Sequence, residues 1–270
     1  MKKYNKLKFH HTQLGGIFDW GTNRSELFQR LYDADEILDY EVAENELSML
    51  IKEDKEFIDA YNSLGWLHMQ QYNYGIAQSY FYEAFNIGDS LIPKEFKGEI
   101  IWGDIDNRPF LRSIHGLGLS FLQIGEFIES KKYFEKNLEY NQNDNQGIRA
   151  LLIQNYIALG EFKKILDVCK LFPDDVMADT LYGKVLALFY LNKHKEAERA
   201  LEVAVKYLPL VSKELVSKNH KPIYNDQPGV NSVGGADEAY EYWERVGQYW
   251  TNPQVKEFLK MGLSNKSKTA

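Results

Sequence analysis

The 270-residue sequence has a single cysteine, Cys169. No disulfide can form within the chain, and a reducing, cytoplasmic setting is the expectation. It has only six histidines, with no His-x3-His or Cys-x2-Cys spacing, so neither a metal site nor another cofactor site is expected. His10-His11 reads as a surface pair on an unstructured start, without a fixed third ligand. No stretch approaches the ~18 consecutive apolar residues of a membrane helix. The basic opening, Met1 to Lys8, leads into no apolar core, because His10, His11, Gln13, Gly15 and Asp19 interrupt residues 9–20. That excludes a signal-peptide pattern.

Positive charge is in the minority. Lys and Arg number 32 against 39 Asp and Glu, a net charge of -7. Broad binding to nucleic acid or to anionic membranes needs the opposite field, so neither is expected as a partner; a local basic patch stays open. Catalytic patterns are also lacking. Nothing pairs a nucleophile with a base, or sets two carboxylates on a defined scaffold. Cys169 falls at a core packing position. Asp104, Asp106 and Asn107 lack the glycine and the distant glutamate of a calcium loop. The glycines from Gly229 to Gly235 lack the Gly-Lys-Ser/Thr ending of a phosphate loop. The chain reads as a non-enzyme.

Hydrophobic residues make up 44% of the chain and aromatics 14%, with 18 Tyr and 15 Phe. That is enough to build a core. The apolar residues recur in phase. Ala43-x3-Leu47-x2-Leu50 and Ala77-x3-Phe81-x2-Ala84 lie 34 positions apart. Before the second set comes Tyr61-x2-Leu64-Gly65, where a small residue lets two helices approach. Ala77, Phe81 and Ala84 share one helical face, a notch beside a knob. Ile114-x2-Leu117-Gly118-x2-Phe121-x3-Gly125 with Ser130-x3-Phe134 repeats the pattern, with Ser130 and Asn137 at its small positions. A third unit runs Leu152-x3-Tyr156-x3-Gly160, then Ile165 and Cys169, and Pro173 cuts its second helix short. A fourth runs Tyr182-Gly183-x2-Leu186, then Ala197-x3-Leu201-x2-Ala204-x4-Pro209. Asn143-Asp144-Asn145 and Asp174-Asp175 supply helix caps, and Pro109 suits a first helical turn.

This period and spacing resemble the tetratricopeptide repeat, a pair of helices stacked on its neighbours. The fold class expected is all-α, a tetratricopeptide-like helix-pair solenoid with a C-terminal capping helix. Residues 1–25 form an N-terminal segment, and 26–215 the repeats, with an insertion at 88–106. Residues 216–236, with Lys221-Pro222, Pro228-Gly229 and Gly234-Gly235, form an irregular linker. Residues 237–263 form capping helices, with Tyr240, Trp243 and Trp250 on one face of the first.

Three stretches resemble a narrower group: Asn107-Arg108-Pro109-Phe110-Leu111-Arg112, Asn143-Asp144-Asn145-Gln146-Gly147-Ile148-Arg149, and Phe172-Pro173-Asp174-Asp175 with Leu181-Tyr182-Gly183. Over residues 95–260 the chain looks like the suppressor of tumorigenicity 7 protein family and its bacterial relatives. Asn141-Gln142-Asn143-Asp144 departs from the Asn-Pro-Asn-Asp of such sequences. The resemblance implies a regulatory or scaffolding role and brings no catalytic residues.

The repeat resemblance also implies a concave groove lined by first helices, at the second, fifth, ninth and twelfth positions of each unit. These are Asp59, Asn62, Trp66 and Met69; then Arg112, His115, Leu119 and Leu122; then Gly147, Ala150, Gln154 and Ile157; then Met177, Thr180, Lys184 and Ala187. Trp66, Met69, Leu119 and Leu122 make an apolar floor, with Asn62, Arg112, Gln154 and Lys184 as polar anchors and His115 between. Such a groove suits a protein or peptide partner. The Lys and Asn pattern of chaperone-tail clamps is missing, since His115 and Gly116 stand in its place. A sensor closing on a small peptide or metabolite, with 88–106 and 218–236 as lids, is the second expectation.

Overall fold

The computed structural model describes residues 4–12, 15–223 and 232–266. The chain divides into two compact units, Met1–Ile148 and Arg149–Ala270. In the first, strands β1 (Lys8–His11) and β2 (Gly16–Asp19) precede α1 (Ser25–Asp35), α2 (Tyr40–Glu53), α3 (Ile58–Gln70), α4 (Tyr74–Asp89), a short 3-10 turn (Ile105–Asn107), α5 (Arg108–Gln123) and α6 (Phe127–Tyr140). In the second, α7 (Ile148–Leu159) precedes α8 (Phe162–Leu171), α9 (Ala178–Tyr190), α10 (His194–Tyr207), α11 (Pro209–Val216), α12 (Ala236–Val246), a 3-10 turn (Gly247–Trp250) and α13 (Pro253–Lys266). Successive helices pack on one another, α3 on α4, α4 on α5, α5 on α6, and in the second unit α8 on α9 and α9 on α10.

The same turn closes the first helix of four pairs. Tyr72, Gly125, Gly160 and Asn192 all adopt a left-handed backbone, φ from 59° to 80°. The next residue's N–H then reaches five residues back: Asn73 to His68 O, Glu126 to Phe121 O, Glu161 to Tyr156 O and Lys193 to Leu188 O, at 2.8–2.9 Å. This double-bonded helix end satisfies carbonyls that a helix terminus leaves open. Two of the four positions use Tyr72 and Asn192 in place of glycine, so their recurrence is a matter of backbone geometry and not of residue identity. Asp39 caps α2 through the Val42 N–H, at 3.0 Å. Asp144 accepts from the Ile148 N–H at 2.5 Å.

Within the first unit the core centres on Phe81, which is fully buried. A Cβ on Gly65 would lie 2.6 Å from its ring, and one on Gly116 closer still. Phe81 of α4 is therefore gripped by hydrogens alone, on α3 behind and α5 ahead. Gly118 gives Phe134 the same space, with a Cβ at 2.5 Å. In the second unit Gly183 gives way to Ile153, at 2.6 Å. The polar residues at small positions bond to the facing backbone: Ser130 donates to Gly118 O at 2.8 Å and Asn137 to Leu111 O at 3.0 Å.

The N-terminal segment departs from expectation. His10 and His11 lie not on an unstructured start but on β1, which pairs antiparallel with β2, Phe9 opposite Phe18 and His10 opposite Ile17. Phe18 is buried against Phe110, ring centroids 5.1 Å apart. Asn107 acts as a neighbouring strand would. Its side-chain oxygen accepts from the Phe18 N–H at 3.0 Å, and its amide donates to Gly16 O and Ile101 O, both at 3.1 Å. The 88–106 insertion is tied down too. Gly16 N–H donates to Glu99 O and Ile100 N–H to Tyr140 O, both at 2.8 Å.

The C-terminal aromatic helix also differs. It ends at Val246 and continues as a 3-10 turn, so Trp250 leaves the face of Tyr240 and Trp243. Ala239, Tyr240, Tyr242, Val246 and Trp250 are among its buried residues, and Trp243 lies half-exposed, stacked on His220 at 3.7 Å. α12 packs on α9 and α11, and Glu238 accepts from the Ala178 N–H at 3.1 Å, capping α9 across the unit's sequence. Part of the expected linker, residues 224–231, lies outside the described residues.

Two measurements test these packings. Gly65→Ala and Gly116→Ala should each lower unfolding stability by about 1–3 kcal/mol through overpacking, and Phe81→Leu in either background should recover part of the loss. Neutral substitutions in urea unfolding would show that the ring moves aside freely. Asn107→Ala leaves the Phe18 N–H and Gly16 carbonyl without their partner, a loss of about 2–4 kcal/mol, and should expose residues 4–24 to limited proteolysis.

Candidate functional site

The expected groove residues of the first unit come from α3 and α5, held side by side by the Gly65–Phe81–Gly116 contact. Trp66 and Met69 are half-buried on α3, and Arg112, His115 and Leu119 are half-buried on α5. Trp66 and His115 meet edge to face, centroids 6.1 Å apart. His115 also approaches Phe134 at 6.2 Å and the Gln146 amide at 3.4 Å. Among apolar rings the protonated imidazole loses its hydration, and burial pushes the His115 pKa down to about 4. The ring therefore presents itself uncharged.

The polar residues here are already engaged. Arg112 Nη1 donates to both Asp59 oxygens at 3.0 Å, and Trp102 of the insertion lies over the guanidinium at 5.9 Å. Asn62 is buried; its amide donates to Pro109 O at 2.8 Å and to Asp59 at 3.2 Å. It works as a tie between α3 and the start of α5, not as an open anchor. Leu122 is likewise buried.

Sequence reasoning passed over what surrounds Trp66. Asp35, Ser63, Trp66 and Gln70 line a cavity of about 250 Å³ whose floor includes Ala43 and Leu47. Ser63 donates to Asp35 at 3.2 Å, and burial raises the Asp35 pKa above the ordinary carboxylate value. Asp35 ends α1 outside any repeated motif, so no spacing singles it out.

In the second unit Gln154 is half-exposed on α7. Lys184 is exposed on α9, and it opens into a separate cavity walled mainly by the second helices α8 and α10. Arg149 binds Asp175 at 2.7 Å, and Asp175 also accepts from Thr180 at 2.6 Å and from the Met177 N–H at 3.3 Å. In the 143–149 stretch Asp144 thus caps α7 and Arg149 is held in an ion pair. Cys169 is buried, and desolvation pushes its thiol up to about 11, far from a reactive thiolate. Among the described residues no group of three or more His, Cys, Asp or Glu is placed to hold a metal ion, and no helix is long and apolar enough to cross a membrane.

The neutral His115 makes stability depend on pH. The unfolded chain takes up a proton near the ordinary value of about 6.5, while the folded chain resists until about 4. The contribution is complete above the unfolded value, declines as pH falls through this window, and levels off below it. The loss amounts to about 3 kcal/mol at most. Chemical unfolding from pH 7 to 4 should show this slope in the wild type and a flatter one in His115→Gln, with the His115 imidazole titrating late by NMR.

Comparison with known proteins agrees with this architecture. Residues 57–88, which hold α3 and nearly all of α4, match the tetratricopeptide repeat family. No curated protein sequence matches the chain. Among solved structures, YrrB, described as a TPR protein with an unusual peptide-binding site, aligns at a TM-score of 0.50 with 17% identity, over 69% of this chain and 84% of its own. PilF of Pseudomonas aeruginosa aligns at 0.49 with 18% identity, over 67% and 75%. Neither match bears on the suppressor of tumorigenicity 7 family. The chain is thus an all-α protein of tetratricopeptide-like fold, with a tetratricopeptide repeat at residues 57–88.

Proposed function

We propose that this protein is a non-enzymatic, cytoplasmic interaction scaffold whose α3/α5 face binds a segment of another protein. The observation that carries the reading is the half-open pair Trp66 and Met69 on a rigid floor, beside the uncharged His115 and Leu119. A large aromatic ring fixed by packing is the kind of anchor that dominates protein interfaces. Arg112, held against Asp59, adds a positioned charge at the rim. A helix or extended peptide suits such a face, and the peptide-binding site named for YrrB is an analogy at the level of fold. Gln154, on α7 of the second unit, is proposed as a partner contact of that unit by itself. The acidic balance of the chain disfavours nucleic acid as the partner.

We further propose residues 26–215 as the repeat array and 237–263 as its cap, with 216–236 between them. A kinship to the suppressor of tumorigenicity 7 family rests on the three motifs quoted above. In the sensor reading, 88–106 acts as a lid. Its bonds to Gly16 and Tyr140 hold it in place instead, which favours the scaffold.

Affinity capture from the native host with the intact chain, read by mass spectrometry, tests the face. Trp66→Ala combined with Arg112→Ala should release the captured partner by tenfold or more while helicity by circular dichroism is unchanged. Undiminished capture by the double variant would reject the α3/α5 face.

A further inference from the structure

The second unit contains a cavity of about 480 Å³ between α8, α9 and α10. Its lining carries four cations, Lys170, Lys184, Lys193 and Arg199, against one acid, Glu196. In a chain of net charge -7 this is a local reversal of sign. Two of the cations are partly engaged: Lys170 with Asp167 at 2.9 Å and Lys193 with Glu196 at 3.4 Å. Lys184 and Arg199, both exposed, have no ion-pair partner among the described residues. Lys193 is also the N-cap of α10, which brings the positive end of that helix to the same rim. Between the charges lie Leu166, Leu188 and Val203.

A cavity of this size falls in the range of small-ligand sites, about 300–1,000 Å³, where apolar walls hold a body and a few polar groups fix its orientation. Convergent cations with only one acid select a group bearing more than one negative charge. The arginine fork matches phosphate oxygens in pairs, while lysine acts as a mobile point charge. A nucleic-acid strand needs a basic track along its backbone; here the cations are gathered round one cavity.

We propose that this cavity binds a small organic phosphate, with Lys184 and Arg199 taking the phosphate and the apolar walls taking the body. The site is separate in sequence and chemistry from the α3/α5 face and does not depend on that reading.

Isothermal titration of the intact chain at low salt, with phenyl phosphate as the probe, tests the proposal. One equivalent should bind, more tightly than inorganic phosphate, which lacks the body, or phenol, which lacks the charge. Lys184→Gln with Arg199→Gln should weaken binding at least tenfold with circular dichroism unchanged, because both side chains are exposed. Absence of binding, equal affinity in the double variant, or equal binding of phenol would overturn the site. So would binding of an oligo-glutamate peptide when phenyl phosphate does not bind. Should the double variant lose its fold, Lys184→Gln alone, with the salt dependence of wild-type binding, decides the same question.

Discussion

The first unit depends on one steric fact: Phe81 has room for its ring only because Gly65 and Gly116 have no side chain. The three residues come from three successive helices, so a single ring fixes the spacing of α3, α4 and α5 together. Interiors are packed to crystal-like density, and a missing Cβ on each side is what lets backbones approach this closely. Where Trp66 and His115 stand relative to each other follows from that spacing. The proposed recognition face is thus an outcome of core packing, with no loop needed to build it.

A second constraint is the disposal of polar groups inside the helix stack. Ser130, Asn137 and Asn62 occupy positions where small or apolar residues are the norm, and each donates to a backbone carbonyl of a facing helix. Asn107 goes further and serves three backbone groups, two of them on β2. The Ser130 hydroxyl and the NH2 groups of the two amides are satisfied in this way, while the side-chain oxygens of Asn62 and Asn137 are buried without a partner, a cost that the donated bonds offset in part. They also set register, since only one placement of the helix meets the acceptor.

The repeat was legible because its signal is periodic: small and large residues recur at fixed spacing, and Gly65, Phe81, Gly118 and Phe134 meet as that spacing requires. Gly116 as the second jaw on Phe81 was not legible, because it sits outside the repeated glycine position. The hairpin escaped for a related reason. Four-residue strands carry too few alternations to register, and what holds them is Asn107, roughly ninety positions away. Trp66 and Arg112 could be placed from the repeat resemblance, whereas Asp35 could not. The extent to which Asn62 and Arg112 are used up by Asp59 depends on tertiary distances that no motif encodes. The helical face proposed for Trp250 failed where α12 gives way to 3-10 geometry at Gly247.

The two proposed sites differ in how far their polar groups are already satisfied, and this would set what each could recognise. On the α3/α5 face the guanidinium has its carboxylate, the amide of Asn62 has its carbonyl, and the imidazole is neutral. A partner there would gain electrostatic energy chiefly from Arg112 at the rim, and selection would fall mainly to the shape of an aromatic floor. Around Lys184 and Arg199 the balance is reversed, with cations outnumbering acids in the lining of one cavity. An anion arriving there meets charges that stand open in the folded chain and breaks no internal pair at those two residues. Both proposals, shape selection at one site and charge selection at the other, rest on which carboxylates the helix packing brings within reach.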